Sequence, residues 1–122
     1  METSHFTEPT TEYWQNILTA DKVKQHSPPW KYGCPVQLPD GRYLLLPIRQ
    51  LHANPHHAVA SLLANSASLD VVDTLSSLLA ESLKPHEIDV IVGLPTLGHA
   101  LCPGVARGLA LSRYVVGACP IS

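Results

Sequence analysis

The chain has 122 residues, of which 45% are hydrophobic and 15% charged, and a formal net charge of −2 with its 7 histidines neutral. That length gives one domain with a modest core, and a charged fraction below the roughly 25% of an average soluble domain predicts apolar surface that meets another chain. Scattered Lys and Arg exclude nucleic-acid binding as a function class, no apolar run reaches the ~18 residues of a membrane span, and METSHFTEPTTEYW lacks the basic and apolar regions of a secretory signal, so the expected address is cytoplasmic.

Residues 1–11 are polar and predicted to be flexible, with residues 12–122 forming a single domain. TEYWQNILTADKV places Tyr13, Trp14, Ile17 and Leu18 at helical spacing behind a candidate N-cap, Thr11, and the prolines of HSPPWKYG end that helix. Tyr32 to Leu38 and Arg42 to Ile48 flank Pro39-Asp40-Gly41, a turn in which proline presets φ and glycine takes a positive one, so this region reads as a β-hairpin. The loop HANPHH follows. Leu62, Leu63, Leu69, Val72, Leu75, Leu78 and Leu79 then recur at three- and four-residue steps, predicting a long helix that Asn65-Ser66 divides and Lys84-Pro85 ends. DVIVG reads as a buried strand of a parallel sheet, Leu97 to Leu111 as a helix, and RYVVGAC as a second such strand. The predicted fold class is α/β, with a parallel sheet, flanking helices and an N-terminal β-hairpin.

At IVGLPTLGHALCPGVARGL, through Ile91 to Leu94, Gly98, Pro103 and Ala106, the chain resembles the type I phosphoribosyltransferases, most of all their adenine-specific branch and a group of fungal phosphoribosyltransferase-like proteins. The segments YWQNIL, YGCPVQLPDGRYLLLPIR and ASLLANSASLDVVDTL extend the resemblance to nearly the whole chain from Tyr13 onward. It implies that Leu94, Pro95, Thr96, Leu97 and Gly98 form the loop that faces the diphosphate of the phosphoribosyl donor. Helix N-termini favour anions on independent grounds, through unpaired N–H donors and a partial positive charge. A tight strand-to-helix turn with no ligand is an equal reading of the same glycines.

The family's ribose-phosphate motif, two adjacent acids followed by a threonine-containing small-residue loop, has no counterpart. VVDTLSS imitates it, but Asp70 and Asp73 are not adjacent and their surroundings are helical. The family's flexible catalytic loop also has no counterpart, so the resemblance implies a truncated scaffold that does not carry out ordinary phosphoribosyl transfer. Such a scaffold would leave Val90 to Val92 as an open sheet edge, from which a homodimer is expected.

His99 and Cys102, three residues apart on one helix face, are the candidate catalytic pair. A histidine near a helix N-terminus is biased toward the neutral base and a cysteine there toward thiolate. The alternative for both is packing, with Cys102 as a small hydrophobe. The cluster of His52, His56 and His57 supplies no fixed third or fourth ligand, and the cysteines Cys34, Cys102 and Cys119 have no zinc-like spacing, so no metal and no cofactor is expected. Two functions remain open. One is cofactor-free acid/base chemistry on a small-molecule ligand, such as isomerisation, cyclisation or hydrolysis. The other is a non-catalytic phosphate- or nucleotide-binding or regulatory module that pairs with itself or with a full-length relative.

Overall fold

The structure, a computed structural model, describes residues 15–25, 27–30, 33–96 and 98–117. The chain divides into two compact units, Met1–Leu62 and Leu63–Ser122. The architecture is mixed α/β, with an antiparallel sheet in the first unit and a short parallel sheet in the second.

The first unit is organised by one long strand. β1 (Ile17–Leu18) is followed by the four-residue helix α1 (Ala20–Val23), then by β2 (Gly33–Gln37), β3 (Tyr43–Gln50) and β4 (Ala58–Ala60). β3 pairs antiparallel with all three other strands, in the register Ile17↔Leu44, Val36↔Leu44 and Arg49↔Val59. Leu44, flanked on both sides, is the buried hydrophobic residue of this sheet. β2 pairs through Pro47, which has no N–H to give a ladder, and β4 takes over at Ile48. The hairpin predicted from Pro39-Asp40-Gly41 is present: the Leu38 N–H donates to Arg42 O at 2.7 Å and Gly41 has φ +90°. Asp40 accepts from the Arg42 guanidinium at 2.7 Å, which lowers the Asp40 pKa.

Two sequence expectations need correction here. Ile17 and Leu18 are in a strand, not a helix, because pairing with Tyr43 and Leu44 outweighs their helical spacing. Thr11, Tyr13 and Trp14, also assigned to that helix, lie outside the described residues. Leu62 and Leu63, assigned to the long helix, lie outside α2, and just before them Ala58–Ala60 extends the sheet along the end of β3.

The second unit opens with a 3-10 turn, Ala64–Ser66, and continues with α2 (Leu69–Leu83), β5 (Val92–Gly93), α3 (Gly98–Gly108) and β6 (Val115–Val116). Ser68 caps α2 by accepting from the Val71 N–H at 3.3 Å, and the helix stops at Leu83, before Lys84-Pro85, as expected. β5 and β6 pair in parallel, Val92↔Val115 and Gly93↔Val116.

The unit's buried core consists of small side chains: Ala64, Val71, Ser76 and Ala80 against Cys102, Val105 and Ala106. α2 and α3 meet backbone to backbone. A Cβ on Gly104 would lie 2.6 Å from Ser76 Cβ, one on Gly108 would lie 2.6 Å from Ala80 Cβ, and the Ser76 hydroxyl donates to Leu101 O at 3.4 Å. Because Ser76 matches Gly104 and Ala80 matches Gly108, the two helices run in the same direction. The strands expected to be fully buried are not: Val92 is 53% exposed, with Val90, Val115 and Val116 close behind.

Candidate functional site

β5 ends at Gly93 and delivers the chain into a turn, and α3 begins at Gly98. Of the loop residues expected to face an anion, Leu94, Pro95, Thr96 and Gly98 are described and Leu97 lies outside the described residues. The Pro95–Thr96 peptide is cis. The Gly98 N–H donates to Leu94 O at 3.0 Å and the His99 N–H to Thr96 O at 3.2 Å. Two donors at the helix start are therefore used within the turn, and Pro95 has none to offer. Leu94 turns outward, 68% exposed.

Gly93 and Gly98 close the turn against each other. A Cβ on Gly93 would lie 3.0 Å from Gly98 O and 2.2 Å from Cys102 Sγ, so the thiol rests directly on the strand end. A Cβ on Gly98 would meet only the Gly93 backbone, at an ordinary 3.5 Å. Packing thus dictates glycine at position 93 and leaves position 98 free to carry a side chain.

His99 and Cys102 share the first turns of α3 but differ in environment. Cys102 is only 4% exposed, and burial pushes its thiol pKa up. That is opposite to the thiolate bias expected from its place on the helix, because desolvation of a thiolate outweighs the dipole once the group is enclosed. The side-chain Nε2 of His99 is buried, with no hydrogen-bond partner among the described residues. Pro103 has no N–H, so the His99 carbonyl cannot receive the regular helical bond either. In the sequence, the signal for this unpaired carbonyl is a proline four residues after His99.

Elsewhere, His52, His56 and His57 are exposed on the loop between β3 and β4, and no group of three or more metal-ligating side chains assembles among the described residues. Cys34 lies on β2, and Cys119 is outside the described residues. No helix among the described residues is long and apolar enough to cross a membrane. Comparison with family models, curated proteins and solved structures finds no match.

Proposed function

We propose that the β5–α3 turn is a small-molecule site at which His99 acts as an acid/base group without a cofactor, on a phosphoribosyltransferase-like scaffold adapted to isomerisation, cyclisation or hydrolysis of a small metabolite. The observation that carries this reading is the buried His99 Nε2 without a hydrogen-bond partner among the described residues. Leaving a buried polar atom unpaired costs about 1–3 kcal/mol, a cost that a bound ligand group removes. The turn stands at the carboxyl end of parallel strands, where ligands of α/β sheets are found. Cys102 serves this site by packing, its buried thiol holding the end of β5 against α3.

The protein acts in the cytoplasm, and a second copy covers the exposed strands β5 and β6. Parallel strands are rarely left open on a face, and Val90, Val92, Val115 and Val116 are all exposed apolar side chains at these strands.

Proton abstraction next to a carbonyl is the step these reactions share. The test is deuterium incorporation from D2O into a panel of enolisable ketones and hydroxyketones, followed by NMR. The expected result is exchange that His99→Gln abolishes and Cys102→Ala retains. Exchange that survives His99→Gln, or no exchange across the panel, rejects the acid/base role.

A further inference from the structure

We propose that the turn between β2 and β3 is a modification site, at which Asp40 rearranges to isoaspartate through a cyclic imide formed with the Gly41 nitrogen, and that Arg42 holds this reaction back in the folded chain. The rearrangement needs a carboxyl one methylene from the backbone, a following nitrogen open to attack, and water. Asp40 and Gly41 meet these needs: both are exposed, and nothing lies within 4 Å of the place a Cβ of Gly41 would occupy. Asp40 is also the only aspartate of the chain followed by glycine. Asp21 precedes Lys22, Asp70 Val71, Asp73 Thr74 and Asp89 Val90, whose side chains crowd the nitrogen that would attack.

The reaction balances with water as its sole co-reactant. The Gly41 nitrogen attacks Cγ of the protonated Asp40 carboxyl; a C–N bond replaces a C–O bond, and the departing hydroxyl leaves as water with the amide proton. A second water then opens the ring. Opening at the side-chain carbonyl restores aspartate, whereas opening at the main-chain carbonyl leaves the chain running through the side chain, one methylene longer at the turn.

The folded turn restrains both reacting groups. The Gly41 N–H donates to Leu38 O at 3.0 Å, which ties down the proton that the nitrogen must lose. Asp40 Oδ1 accepts from the Arg42 backbone N–H at 3.0 Å, and Oδ2 accepts from Arg42 Nε at 3.0 Å and Nη2 at 2.7 Å. Residue 42 thus occupies both carboxylate oxygens and favours the ionised form, which closes poorly because its oxygen would have to depart as oxide. The lowered Asp40 pKa acts in the same direction. Local opening of the turn releases nitrogen and carboxyl together.

The test compares the full chain with Arg42→Ala, each incubated folded in neutral buffer and denatured in guanidinium chloride, with isoaspartate at position 40 quantified by peptide mapping with electron-transfer fragmentation. In buffer, Arg42→Ala is expected to accumulate isoaspartate about threefold faster than the unaltered chain, the scale on which releasing an exposed ion pair shifts a population. In denaturant, where the bonds of the turn are lost, both chains are expected to react at one common and higher rate. Equal rates in buffer, or a difference of the same size in denaturant, overturn Arg42 as the restraint of the folded turn. A folded chain that reacts as fast as the denatured one overturns protection by the turn, and a denatured chain that forms no isoaspartate at position 40 overturns the site itself.

Discussion

Gly41, in the turn between β2 and β3, has φ +90° and nothing within 4 Å of the place a Cβ would occupy. Gly93, at the end of β5, is the reverse: its φ is outside the left-handed region, and a Cβ there would lie 2.2 Å from a sulfur and 3.0 Å from a backbone oxygen. The first glycine answers to its own backbone, the second to residues that arrive from further along the chain. The hairpin is therefore a local structure, specified within a few residues, and the β5–α3 turn is a tertiary one, specified by how α3 is seated.

The sharpest way to break this contrast is substitution by alanine at each site. Gly93→Ala is expected to destabilise the protein by about 3 kcal/mol, the upper part of the usual overpacking range, as measured by urea unfolding. Adding Cys102→Ala should recover part of that loss by removing the sulfur, and a Gly93→Ala protein of unchanged stability would refute the contact. Gly41→Ala should cost about 1 kcal/mol, the left-handed penalty less the entropy an alanine removes from the unfolded chain, and Cys102→Ala should not alter that cost.

A smaller effect of opposite sign is expected where α3 ends. Ala110 has φ +60°, its N–H donates to Arg107 O at 3.1 Å, and the Leu111 N–H donates to Ala106 O at 2.9 Å. This is a Schellman closure with alanine at the position that favours glycine. Ala110→Gly should therefore stabilise the protein by about 0.5 kcal/mol. A fall in stability would mean that the Cβ of Ala110 makes contacts that outweigh its backbone strain.

The smallest expected effect is a pH slope. Because burial raises the Cys102 pKa above that of an ordinary thiol, the folded state holds its proton more tightly than the unfolded chain. That contribution is fully present below the pKa of the unfolded thiol and is lost as pH rises through the higher folded pKa, a slope that Cys102→Ala should flatten in urea unfolding series.

How much was legible in the sequence follows the same division. Pro39-Asp40-Gly41 disclosed the hairpin and Lys84-Pro85 the end of α2, because turn and breaker chemistry act within a few residues. The order of strand, turn, helix and strand from Val92 to Val116 was also readable, together with the parallel pairing. Ile17–Leu18 reads as helix in the sequence because a strand of two residues carries no period of its own and is created by the partner β3, as Ala58–Ala60 also is. The burial of Cys102 depends on the seating of α3 against Gly93, and the enclosure of His99 Nε2 without a hydrogen-bond partner among the described residues is likewise a tertiary feature, which neither helical spacing nor the dipole expresses.

The meeting of Ser76 and Ala80 with Gly104 and Gly108 has a mechanical consequence. Each notch is a missing side chain that recurs every four residues, so α3 cannot creep along α2 by one or two positions without driving Val105 or Ala106 into Ser76. The nearest alternative seat is a whole helical turn away, about 5.4 Å. Displacement of α3 is thus quantised like a detent, and because Cys102 bears on Gly93, a jump of that size would take the strand end with it.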